Sequence, residues 1–93
     1  MDAVPSFLHV THVQHLASYR LIVGFSDGTE REVDLSGELY GEVFEPLRDE
    51  AAFAAAYVDD ETRTVAWPNG ADFAPEFLHQ IGRVLVSSPA DVR

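Results

Sequence analysis

The residues with chemistry to offer in this chain are 4 histidines and 16 carboxylates. His9, His12 and His15 form an H-x-x-H-x-x-H series. Imidazoles are common zinc ligands, but a tetrahedral site needs them to converge. On a strand, His9 and His15 face one way and His12 the other. On a helix, each step of three residues drifts by about 60°. Neither arrangement makes a cage, so solvated histidines are expected and no metal site. Asp59, Asp60 and Glu61 are consecutive, whereas a calcium loop alternates its oxygen ligands around a turn-forming glycine. They read as a solvated turn. Glu76 and His79 stand three apart and would be within reach on a helix. They read as a surface pair, because an acid–base dyad needs a pocket to perturb its pKa. The chain has no cysteine and no G-x-S-x-G elbow. Its glycines are scattered and form no phosphate-cradling loop. No catalytic residue, metal ligand or cofactor-binding residue is assigned, and no enzymatic activity is expected.

The densest segment is Trp67 to Leu78, W-P-N-G-A-D-F-A-P-E-F-L, which holds the only tryptophan. One reading is a strand–turn–helix corner, with Trp67 covering the core and Asp72 capping the helix. The other is a display surface, since aromatic residues beside a rigid turn are common interface anchors. Trp67, Pro68, Asn69, Asp72 and Glu76 are the candidate interaction residues.

The elements that would position them are short. Phe7 to Leu16 predicts a first strand in which Val10, Val13 and Leu16 are spaced by three; a bulge or bend between Val10 and Val13 would return both to one face. Tyr19 to Phe25 alternates an apolar face with Arg20, Ile22 and Gly24. Asp27-Gly28 marks a hairpin turn, and Thr29 to Leu35 returns. A two-residue turn would set Phe25 opposite Glu30, Val23 opposite Glu32 and Leu21 opposite Asp34, placing three carboxylates on the core face. A three-residue loop, Ser26-Asp27-Gly28, sets Leu21 opposite Val33, Tyr19 opposite Leu35 and Arg20 opposite Asp34. Burying unpaired carboxylates costs roughly several kcal/mol, so the second register is expected, with Gly28 left-handed in a G1 bulge.

Farther along, Ser36 can cap a helical turn through Tyr40. Val43 to Leu47 reads as irregular or briefly extended, broken by Pro46, and Asp49 as the N-cap of a helix from Glu50 to about Ala56. Tyr57–Asp59 and Thr64–Trp67 predict a second hairpin. Trp67-Pro68-Asn69-Gly70 is a turn with Pro second and Gly fourth. Asp72 or Ala74 opens the last helix, with Pro75 in its first turn. Phe73, Phe77, Ile81 and Leu85 recur every four residues along it. Residues 87–93 read as a frayed tail.

Composition bounds the class. A chain of 93 residues is a single domain, with its core expected in residues 7–86. No signal peptide and no stretch approaching the ~20 apolar residues of a membrane span are seen. The absence of cysteine suits a reducing compartment, so the cytoplasm is expected. A net charge of -10, with six arginines and no lysine, repels phosphate backbones and anionic lipid, so neither nucleic acid nor membrane is an expected partner. The charge serves solubility, and it would also suit an acidic face that meets a basic protein.

Several stretches carry a resemblance: Y-R-L-I-V-G-F-S-D-G at Tyr19–Gly28, V-D-L-S at Val33–Ser36, V-F-E-P-L-R-D at Val43–Asp49, and W-P-N-G-A-D at Trp67–Asp72 followed by P-E-F-L at Pro75–Leu78. Over roughly residues 8–79 the chain resembles the bacterial domain-of-unknown-function 2442 family. His79 stands where the family often has Tyr. The resemblance implies a small α+β fold and no known activity. It also implies a companion, a small protein of the domain-of-unknown-function 4160 type encoded in a paired, toxin–antitoxin-like arrangement. Some members carry a helix-turn-helix domain after this one; this chain, ending at Arg93, is not expected to, so DNA binding is not carried over.

The expected fold is α+β: an antiparallel sheet of about five short strands in hairpins, packed with two short helices. The expected function is a non-enzymatic protein-interaction module, the acidic, antitoxin-like partner of a small neighbouring protein. The alternatives are a small-molecule-binding or enzymatic pocket near Trp67–Glu76, and a homodimeric module joined through a sheet edge.

Overall fold

A computed structural model describes residues 8–86. The first half is a meander of three antiparallel strands, β1 (Val10–His15), β2 (Arg20–Phe25) and β3 (Glu30–Asp34). The strand start at Phe7 and the tail from Ser87 lie outside the described residues.

The β2–β3 register is the one that keeps carboxylates off the core. Leu21 faces Val33, and Arg20 faces Asp34; the Leu35 amide donates to the Tyr19 carbonyl. The loop is Ser26-Asp27-Gly28: the Gly28 amide donates to Phe25 O at 3.0 Å, and Gly28 has φ +88°. That is the type I turn with a G1 bulge, the glycine taking the left-handed position a side chain resists. The β1 bulge is also present. Val10 pairs with Phe25 and His12 with Gly24, leaving Thr11 as the extra residue. Val10 and Val13 therefore share the core side despite their odd spacing.

Between β3 and the second sheet the chain departs from expectation. Ser36 does not cap a helix; its amide donates instead to Asp34 Oδ1 at 2.9 Å, and the segment makes a single turn closed by the Glu38 amide on the Leu35 carbonyl at 2.9 Å. The stretch read as irregular forms a 3-10 turn at Glu45–Arg48, because Pro46 sits in the first turn, where a missing N–H costs nothing. Helix α1 (Glu50–Phe53) is shorter than expected, but its cap is as expected: the Ala52 amide donates to the Asp49 carboxylate at 3.3 Å. Two strands, β4 (Tyr57–Val58) and β5 (Val65–Ala66), then pair as a separate two-stranded sheet.

The larger correction concerns the end of the chain. Helix α2 (Pro75–Ile81) stops at Gly82, whose ψ of 151° is extended. Residues Arg83–Val86 form β6, which pairs antiparallel with β3. Leu85 thus continues no helical stripe. Arg-Val-Leu-Val is β-favouring, and ordering it on the open side of β3 wins over one more helical turn. The four-stranded sheet has the order β1-β2-β3-β6. The α+β class stands, with six strands in two sheets in place of five in one.

The core fills the space between the larger sheet, the helices and the small sheet. Leu21, Val23, Phe25 and Val33 project from β2 and β3 and pack with Leu35, Leu39, Leu47, Phe53, Trp67 and Leu78. The other face is charged. Glu32 accepts from Arg20 on one side at 3.0 Å and from Arg83 on the other at 2.6 Å, linking β2, β3 and β6. The β1–β2 turn is tied to the helical layer: the Ser18 amide donates to Glu50 Oε2 at 2.9 Å, and the Tyr19 hydroxyl to the Arg48 carbonyl.

Candidate functional site

Strand β5 delivers Trp67 to the centre of the molecule, where it is 1% exposed. Its indole N–H donates to the Phe53 carbonyl at 2.8 Å, joining the Ala56 amide as a second donor to the carbonyl that ends α1. The turn that follows is self-locked. The Gly70 amide donates to Trp67 O, the Trp67 amide to Ala71 O, and the Ala71 amide to Asn69 Oδ1. Asn69 Nδ2 then reaches across to Val43 O at 2.9 Å, fixing the segment before the 3-10 turn. Gly70 takes φ +93° at the turn's end.

The five candidate residues therefore do not form one surface. Trp67 is interior; Pro68 and Asn69 are exposed at the corner; Asp72 and Glu76 are exposed farther along the chain. Asp72 does not cap α2. Its backbone bridges to Ala66, and the N-cap is Ala74, with no side-chain hydrogen bond. Pro75 supplies the start instead, since its fixed φ suits the first helical position.

What the corner does create is a groove. Trp67, Pro68 and Asn69 line it with Pro46, Leu47, Ala52 and Ala55, enclosing about 170 Å³ with an almost wholly apolar lining. It exists because α1 and the turn after it place alanines on this side. Ala52 and Ala55 are too small to fill the space over the indole, and the two prolines wall its ends. Asp72 and Glu76 lie outside it. Sequence reasoning placed the corner but missed Pro46, Leu47, Ala52 and Ala55. The available signal was the alanine run at 51–52 and 54–56, which can mark a shallow surface as well as close packing.

The histidines diverge. His9 lies 3.1 Å from an Arg63 guanidinium nitrogen. His12 pairs with Glu30 at 2.8 Å on the charged face, and His15 Nε2 contacts the Ser18 carbonyl at 3.0 Å. Among the described residues, no group of three His, Asp or Glu side chains could hold a metal ion, and no helix is long and apolar enough to cross a membrane.

His79 does not meet Glu76. It is buried, packs edge-on against Phe25 at 5.0 Å, and places Nε2 2.8 Å from Asp27 Oδ2. The other Asp27 oxygen accepts from the Thr29 amide and hydroxyl. Arg31 donates to the His79 carbonyl at 3.0 Å, a cation at the C-terminus of α2. This pair closes the β2–β3 loop onto α2 across 52 residues of sequence, a separation that no local spacing rule reveals. Burial raises the Asp27 carboxyl, but the Thr29 hydroxyl and amide, then the His79 hydrogen bond and charge, outweigh it and bring the group from 3.8 to about 2.

A group held ionised in the folded state stabilises above its ordinary pKa, and that contribution disappears as pH falls through the folded value. Asp27→Asn is therefore expected to cost about 1 kcal/mol at neutral pH, allowing for its partial exposure to solvent. The variant should also lack the matching part of the stability loss between pH 4 and pH 2. Urea titrations of both proteins across that range measure it; equal slopes would refute it.

Compared with known proteins, residues 10–81 match the model of a family described as "Protein of unknown function (DUF2442)", well over half of the chain. No curated protein and no solved structure matches it.

Proposed function

Because the chain belongs to the DUF2442 family of unknown function, we propose that it acts as a protein-interaction module without chemistry of its own. The observation that carries this reading is the apolar groove over Trp67, rimmed by exposed backbone turns and set in a protein of net charge -10. Its volume is small beside the roughly 300–1,000 Å³ of small-molecule sites, and a ligand-orienting set of polar groups would be needed as well. Asp27 and His79, a more buried carboxylate–imidazole pair than His12 and Glu30, already hold a loop to a helix. The partner is the small protein encoded beside this one, and the relation is antitoxin-like: an acidic surface neutralising a basic companion. The absence of cysteine supports a cytoplasmic setting.

Co-expression of the chain with the product of its adjacent gene, followed by pull-down at low and at physiological salt, tests the proposal. A stoichiometric complex that weakens with salt is the expected result. No complex at either salt would count decisively against the paired-gene partner.

A further inference from the structure

Resting on that reading, we infer that the groove receives one large apolar side chain from a partner segment that carries Lys or Arg on both sides of it. The size and lining set the first half. A space of about 170 Å³, bounded by an indole, two prolines, a leucine, two alanines and Asn69, suits a single side chain such as Leu, Met or Phe. Interface anchors of this kind fill desolvated pockets while neighbouring contacts exclude water.

Charge sets the second half. Pro46, Leu47, Ala52 and Ala55 on one wall belong to the segment from Glu42 to Ala55. It carries Glu42, Glu45, Asp49 and Glu50, all exposed, against the single cation Arg48, whose Nε is bonded to the Leu39 carbonyl. Exposed carboxylates thus stand in sequence on either side of the lining residues Pro46 and Leu47. Lys or Arg beside the anchor would be attracted, and Asp or Glu repelled. The same wall disfavours a second copy of this chain, a nucleic acid or an anionic bilayer, each of which brings negative charge.

Panning a displayed random peptide library against the full chain tests this directly. The expected enrichment is one large apolar residue flanked by Lys or Arg. An enriched peptide is then synthesised and titrated while following the emission of Trp67, the only tryptophan and a wall of the groove. Binding should shift that emission. Replacing the peptide's anchor with Ala should weaken binding about tenfold or more, as expected for a central anchor. Ala55→Glu, at an exposed position lining the groove, should do the same. The Glu42→Lys/Glu45→Lys pair should flatten the dependence on salt between ~50 and ~500 mM NaCl. Libraries that enrich nothing, enrich acidic flanks, or bind Ala55→Glu as tightly as wild type would overturn the inference. The two readings also separate. If the neighbouring gene product binds and Ala55→Glu leaves that complex intact, the groove assignment falls and the interaction module stands. If basic, anchored peptides bind and the neighbour does not, the groove stands and the paired-gene partner falls.

Discussion

Trp67→Ala should remove a large share of the domain's stability at 25 °C. The side chain is 1% exposed and contacts Phe53 and Phe73, at ring-centroid distances of 5.6 and 6.0 Å. Truncating a buried aromatic typically costs about 3–5 kcal/mol, the lost burial plus the cavity left behind. Removing the indole also takes one of two donors from the Phe53 carbonyl, leaving the Ala56 amide at 3.2 Å. A domain of this length has a total stability of roughly 5–14 kcal/mol, so the loss takes a large share of it. Trp67→Phe separates the two contributions. It retains an aromatic ring but not the N–H donor, and should cost less, about 1–3 kcal/mol for the lost hydrogen bond and the smaller ring. Urea unfolding followed by far-ultraviolet circular dichroism measures both variants. A Trp67→Ala protein as stable as wild type would mean that the indole is not a core residue. For the same reason, loss of partner binding in Trp67→Ala would say nothing about recognition, whereas Ala55 sits at the surface of the groove and can.

Gly82→Ala is the second large effect, expected to cost roughly 1–3 kcal/mol through overpacking. A Cβ at this position would lie 2.9 Å from Arg31 Cβ and 2.9 Å from the Leu78 carbonyl, with Val33 at 3.2 Å. Two of these are the root of a strand side chain and a helix backbone oxygen, and neither can swing aside. The chain must move away from β3, taking β6 with it. Gly24→Ala makes the contrast. There the added carbon meets the His12 ring, but that side chain is half exposed and can rotate into solvent at the cost of its contact with Glu30. Gly24→Ala should therefore cost well under half as much. Thermal unfolding of both variants ranks them, and an equal or reversed order would disprove the packing argument.

The contrast also shows which parts of the molecule could be read from the chain. The β2–β3 register followed from where carboxylates can go, since only one loop length keeps Glu30, Glu32 and Asp34 from facing the apolar side. The β1 bulge followed from Val10 and Val13 having to share a face. Both arguments are local and involve a period of two. The end of α2 was different. Phe73, Phe77, Ile81 and Leu85 have perfect helical spacing, yet only Phe77 and Ile81 are on the helix. Strand β6 exists because β3, 50 residues earlier, offers it an edge, and periodicity carries no information about that. The candidate site divides the same way. The Trp67–Gly70 turn was legible from Pro and Gly positions, while the groove depends on what α1 lacks beside it. His79 was assigned to Glu76 by helical spacing, but its partner Asp27 arrives from the opposite end of the chain.

Both outer strands of the larger sheet pair through an irregularity, at Thr11 in β1 and at Leu85 in β6, while the inner β2–β3 pair is in register throughout. A bulge twists a strand and puts its outward N–H and C=O groups out of step. The β1 side is also crossed by the Arg63 carbonyl, which takes the Val10 amide at 2.9 Å. The sheet thus ends, on each side, in a surface that a straight strand from another molecule cannot follow for more than a residue or two. This is how soluble sheet proteins resist growing into fibrils. The bulge beside Val84 and Leu85, both exposed on β6, is of the kind that hinders edge-to-edge pairing.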